Sequence, residues 1–257
     1  MLSKRHLRNV IRWPLFFLLL MWGVFIVDTY LLGGSLRFYY ALNTREVAGL
    51  PGIIASPLLH SGWPHLLSNS FPFLTLSGLL VFFYPRLWSR VLTTLWLGTG
   101  AAVWLLARPV AHIGMSGVVY ALAGYLAFSG IFRRDFRAVV VSLIVLFYYG
   151  GLAAGILPGQ EGISWESHLF GFVIGGLSAW LYKGELEEHE VRKLQEDAER
   201  RKPTQKSHFL RADTFVKTKA ERAEEARRLA VEEEARKQAA FWERLERLKE
   251  EDKLRRD

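Results

Sequence analysis

The sequence predicts an all-α membrane protein: a bundle of six transmembrane helices followed by a charged helical tail. Three observations carry this. Six apolar segments follow one another between residues 14 and 182, each near the ~20 residues that cross a bilayer as a helix. If all six cross, the basic turns between them fall on one side. Charge is also sharply partitioned: of 33 Lys/Arg and 25 Asp/Glu in the chain, Lys183–Asp257 holds 21 and 20.

Residues 1–13 carry Lys4, Arg5, Arg8 and Arg12 with no acid, and read as a basic cytoplasmic N-terminus. The apolar run Pro14–Gly33 is long enough to span and ends in no small-residue cleavage site, so it reads as a first span rather than a signal peptide. The loop Gly34–Pro64 is rich in Leu, Phe, Tyr and Ile and is expected to lie in the membrane interface. Five further spans are expected near His65–Tyr84, Leu87–Ala107, Ser116–Phe132, Ala138–Leu157 and Trp165–Tyr182. Tyr84-Pro85-Arg86, Arg108-Pro109, Arg133-Arg134-Asp135 and Leu157-Pro158-Gly159 punctuate them. Six crossings from a cytoplasmic N-terminus put Arg86, Arg90, Arg133, Arg134, Arg137 and the tail inside. They put the loop Leu157–Ser164, with Glu161, outside. Trp63, Trp88 and Trp165 at span ends suit interfacial anchors.

The membrane block is thus 14–182 and the tail 183–257. Ala, Glu, Arg, Lys and Leu dominate the tail, Pro203 breaks it, and opposite charges recur at helical spacing. Leu229, Phe241, Leu245 and Leu248 sustain no heptad, so a solvated helix is expected, with any tail partner left open. The chain has no cysteine, which excludes disulfides, thiol nucleophiles and thiolate metal sites. The net charge of +8 fits the inside-positive bias of a membrane protein rather than nucleic-acid binding.

Polar groups inside apolar spans are costly and mark function by default. Four clusters stand out: His60, His65 and Asn69; Gly114-Met115-Ser116-Gly117; Tyr120; and Ser167-His168. His65 and Asn69 share a helical face, as do Ser116 and Tyr120. Spans two, four and six run in the same direction, and each carries its polar residues near its start. The three stretches therefore meet at one depth, as a composite active site requires. A serine hydroxyl is a weak nucleophile until a base takes its proton, and His168 can do that near neutral pH. Ser116 opens a helix whose first amides and dipole favour an oxyanion. Gly114 and Gly117 allow close backbone approach, and Asn69 and His65 are candidate side-chain donors.

No carboxylate is placed to orient His168. Glu166 lies two residues away and points elsewhere, and Asp28 reads as an interfacial or structural residue. The Tyr120 ring is the candidate support. The stripes Gly171/Gly175/Ala179 and Gly117/Ala121/Gly124 let two helices approach closely. His60 reads as structural and His112 as a loop residue. The composition of Leu157–Ser164, with Pro158, Gly159 and Gly162, suits a lid.

These motifs resemble the rhomboid intramembrane serine proteases. The resemblance covers about residues 14–182 and rests on His65-Leu66-Leu67-Ser68-Asn69, Gly114-Met115-Ser116-Gly117 and His168-Leu169-Phe170-Gly171-Phe172-Val173-Ile174-Gly175. Ser116-Gly117-Val118-Val119-Tyr120-Ala121-Leu122 is also similar to bacterial members. Met115 stands where the family commonly has Ala, which crowds the site but removes no reactive group. The resemblance implies Ser116 as nucleophile and His168 as base, with His65, Asn69 and the Ser116 amide lining the oxyanion hole. It implies transmembrane protein substrates within membrane lipid, and neither metal nor other cofactor.

Two other classes are weighed against this. A catalytically inactive relative that binds transmembrane clients typically lacks the Ser or the His, and this chain keeps both. A transporter would string polar residues along the midplane of several helices, whereas here they cluster in one shallow layer. A six-span core without a targeting extension suits a bacterial inner membrane.

Overall fold

The computed structural model describes residues 4–158, 164–201 and 216–254. Each of the six apolar segments forms a helix. The first, α1, runs Lys4–Ile26, beginning before the apolar run and continuing as a π-turn over Val27–Leu31. After two short helices, α2 (Ser35–Tyr40) and α3 (Gly52–Ala55), come α4 (Trp63–Phe83), α5 (Trp88–Leu106), α6 (Ser116–Arg133), α7 (Phe136–Tyr149) and α8 (Trp165–Leu181). By length and composition alone, three stretches among the described residues suffice to cross a membrane: His6–Leu31, Trp63–Phe83 and Ser116–Arg133. The others occupy the segments expected of them, and α7 is extended by a 3-10 helix, Gly150–Ile156. The protein is an all-α membrane protein.

The central helix is α6. A helix that is apolar all round must be enclosed, and 72% of its apolar window is buried against 17% for α1. Leu66, Phe73, Leu76 and Leu80 of α4 and Val91 and Leu95 of α5 join its Leu122, Tyr125 and Leu126 in one core. On α1, Phe16 and Leu19 face outward. The closest packing is between α6 and α8, along the small-residue stripes. A Cβ on Gly171 would collide with the Gly117 carbonyl, and one on Gly175 with the Ala121 carbonyl. No other residue permits that approach.

The first long loop is folded rather than loose. It contains α2, α3 and a short strand, β1 (Leu42–Asn43), which pairs antiparallel with β2 (Ala111–His112) ahead of α6. Buried Asp28 secures it, accepting from Arg37 Nε at 2.7 Å and from the Leu36 amide at 2.8 Å. Of the two readings of this residue, interfacial or structural, its bonds fit the structural one. The centre of the loop before α8, Glu161 included, lies outside the described residues, as does Pro203.

At the opposite end, the charged segment after α8 docks onto the block. Glu187 is fully buried and accepts from the Arg86 and Leu87 amides at 3.2 Å, capping the start of α5. Burial raises its carboxyl above the ordinary range, while the two amides oppose the shift. Glu190 pairs with Arg133 at 2.5 Å, and both side chains are at least nine-tenths buried. Helix α9 (Glu188–Arg201) follows. Residues up to Arg200 form one compact unit and 201–257 a second. In the second, α10 (Lys219–Leu254) starts at a reciprocal cap. The Thr218 amide donates to Glu221 at 2.6 Å, and the Glu221 amide to the Thr218 hydroxyl at 3.3 Å. Ion pairs Arg228–Glu232, Glu233–Lys237 and Glu243–Arg247 run along this exposed helix.

Candidate active site

The turn before α6 is built to present Ser116. Gly114 has φ +108°, a conformation that side chains rarely adopt. Its amide donates to the Ser56 carbonyl at 2.8 Å. A Cβ at Gly114 would stand 2.6 Å from His65 Nε2 and 3.6 Å from Asn69 Nδ2. The backbone just before the serine thus lies against both candidate oxyanion donors. Asn69 itself donates to the His65 carbonyl at 3.1 Å, which sets its rotamer. Ser116 is the first residue of α6, where amides lack intrahelical acceptors.

His168 lies three residues into α8. Its Nδ1 is 2.9 Å from the Gly155 carbonyl. A carbonyl can only accept, so Nδ1 carries the proton and Nε2 keeps a lone pair. The ring stacks on Tyr120, with centroids 4.1 Å apart and planes within 8°. The Tyr120 hydroxyl donates to the Leu152 carbonyl at 2.8 Å. The ring face expected from the sequence therefore holds the imidazole, where a carboxylate would do so in a triad. Among the described residues no hydrogen bond joins Ser116 to His168 in this structure. Such bonds often tighten only with substrate bound.

Glu166 points away, as expected. Its Oε1 pairs with Arg108 Nε at 2.9 Å, and its buried Oε2 has no partner among the described residues. Two residues gain a definite place that spacing had not revealed. His60 Nε2 accepts from the Met115 amide at 3.5 Å, next to Ser116. His112 is buried, and its Nε2 donates to the Arg108 carbonyl at 3.2 Å. That leaves Nδ1 to accept from Ser164 at 2.5 Å, while Ser167 donates to Ser164 at 2.6 Å. Burial lowers the His112 pKa, which favours this neutral form. A polar chain thus ties the strand before α6 to the first turn of α8. Behind Gly114 and Gly117 lies a cavity of about 30 Å³ lined also by Ser56, Thr99 and Ser167. It has room for water-sized molecules, and the buried Thr99 hydroxyl beside it has no partner among the described residues.

Five long helices around a buried α6, with polar groups of α4, α6 and α8 gathered at one end, define a class of membrane protein with an internal polar site. The Rhomboid domain matches residues 48–185, and the chain belongs to the rhomboid family. It is similar to uncharacterized proteins of Mycobacterium tuberculosis and Mycobacterium bovis, at 34% identity over 64% of this chain and 72% of theirs. An uncharacterized protein of Mycobacterium leprae is also 34% identical, over 51% of this chain and 55% of its own length.

Proposed function

We propose that the protein is an intramembrane serine endopeptidase that cleaves transmembrane protein substrates near the outer membrane face with a Ser116–His168 dyad. The observation that carries this reading is the state of His168. Its Nδ1 proton is committed to Gly155 and its ring is stacked on Tyr120, on the helix that Ser116 opens. The lone pair on Nε2 is the base the reaction needs. Ser116 Oγ attacks the scissile carbonyl carbon as its proton passes to Nε2. The tetrahedral oxyanion is met by Asn69 Nδ2, His65 and the Ser116 amide, with Gly114 leaving them room. The C–N bond breaks as Nε2 returns the proton to the leaving amine, giving an acyl-serine. Water then adds with the same base and releases the new carboxyl end. No step in this sequence calls for a metal or other cofactor.

The basic turns support a reading with both termini in the cytoplasm, and a bacterial inner membrane suits that arrangement. Helix-breaking Gly or Pro near the scissile bond favours cleavage, because a helical peptide bond must be unwound first.

A fluorophosphonate probe tests the dyad on the purified full-length protein. Wild type is expected to label at Ser116 and to cut a transmembrane reporter. Ser116→Ala and His168→Ala each lose cleavage while remaining folded, and the double variant is no worse than either single one. Substantial cleavage by Ser116→Ala overturns the mechanism. A folded wild type that binds transmembrane clients but neither labels nor cuts points instead to an inactive, client-binding relative.

A further inference from the structure

A second site lies on the face of the bundle formed by α1 and α5. The backbones of these helices stand apart, since α1 leans chiefly on α4. Two aromatic rungs bridge the gap: Trp13 against Trp88 with ring centroids 5.3 Å apart, and Phe17 against Trp96 at 5.9 Å. Over them runs an open cleft of about 420 Å³, whose walls also include Leu20, Leu92 and Leu97. Among the described residues, Ser89 and Thr93 supply its only hydroxyls. Its outer end is roofed by Ile54 and Leu58 of the first loop, and the Ile54 carbonyl accepts from Trp96 Nε1 at 3.1 Å.

The other end is basic. The Arg12 guanidinium lies 5.5 Å from the centre of the Trp13 ring, and Arg86 stands in the turn leading into Trp88. Both side chains are exposed and, among the described residues, neither forms an ion pair. Neighbouring Arg90 is paired with Glu185. From Trp88 to Leu97 the cleft follows α5 for about 14 Å, close to the ~15 Å of one hydrocarbon leaflet. A transmembrane helix would need twice that depth. An acyl chain entering from the far leaflet would meet the roof.

We propose that this cleft binds one acyl chain of an anionic phospholipid from the leaflet on the N-terminal side, with its headgroup phosphate held by Arg12 and Arg86. Guanidinium groups are well suited to phosphate oxygens, and tryptophans at the headgroup level are at home in the interface. The site does not depend on proteolysis and is distinct from the Ser116 region.

The test uses the full-length protein in nanodiscs of phosphatidylcholine with a minor fraction of phosphatidylglycerol, read by native mass spectrometry of retained lipid. Wild type is expected to retain phosphatidylglycerol well above its share of the bilayer. Removing a cation at an anionic surface costs about fivefold in preference, so Arg12→Gln combined with Arg86→Gln brings retention down toward the bilayer ratio. Thr93→Trp fills the cleft from an exposed position and removes retained lipid of both kinds. Ser89→Trp is a second filling variant should that one unfold, with thermal melting in detergent confirming the fold. Equal retention of the two lipids by wild type overturns the proposal. So does a preference that survives the arginine changes, retention that survives a folded filling variant, or a peptide in the cleft in place of lipid.

Discussion

The Met115 amide donates to His60 Nε2, and the His60 Nδ1 proton goes to the Leu58 carbonyl at 3.3 Å. Only a neutral imidazole serves both. Burial first, then the neighbouring His65, hold the His60 pKa down to about 4 against the pull of the Leu58 carbonyl. The unfolded chain takes up this proton near 6.5. Stability from the neutral ring is therefore complete above pH 6.5 and declines as pH falls towards 4, by at most about 3 kcal/mol. Thermal melting across that window should show the decline in wild type and a shallower one in His60→Gln, whose amide can both donate and accept. Equal declines would remove His60 as the cause. Asn69→Ala tests the adjoining oxyanion assignment. Its turnover should drop by up to about 10²–10³-fold, with little change in KM. A change confined to KM would assign Asn69 to substrate binding instead.

Among the elements, α8 is held at both ends. Its first turn is tied through Ser164 and Ser167 to His112, and through Glu166 to Arg108. Its far end leads into Glu185, Glu187 and Glu190, which dock on the start of α5 and the end of α6. The charged segment from Lys183 thus divides: the part through Arg200 joins the membrane block, and the rest forms its own unit. The sequence alone favoured a solvated helical tail over 183–257, separate from the membrane block. The buried Arg133–Glu190 pair argues otherwise, because removing one partner of such a pair costs about 3–5 kcal/mol. Truncation after Arg200 should leave melting temperature and activity near those of the full chain. Truncation after Lys183 should lower the melting temperature markedly, with Arg133 left buried and unpaired. Equal stability of the two truncations would show that the docked segment contributes nothing.

For the molecule as a whole, the turns carrying Arg86 and Arg133/Arg134 lie at the end of the bundle opposite the polar site. That asymmetry predicts an orientation, and the absence of native cysteine makes it easy to test. Single cysteines at Arg134 or Val216 should react with a membrane-impermeant maleimide only after the cytoplasmic side is opened. One at Val47, 80% exposed in the first loop, should react in intact cells. Reaction of all three from the same side would overturn six crossings or their direction.

The positions of the helices, the charge division and the gathering of His65, Asn69, Ser116 and His168 at one end were legible in the sequence. Hydrophobic runs of spanning length, basic turns and helical periodicity are local signals, and three parallel spans leave little freedom in depth. The roles of His60, His112 and Glu187 were not legible. Each depends on a partner far along the chain: His60 on Met115, His112 on Ser164, and Glu187 on Arg86 and Leu87. No spacing rule links such pairs, because their contacts exist only once the helices have packed. The same holds for His168. The sequence named the residue, but only its contacts with Gly155 and Tyr120 decided which nitrogen carries the proton. That choice depends on the acceptor facing the ring, and the folded chain alone brings the acceptor there.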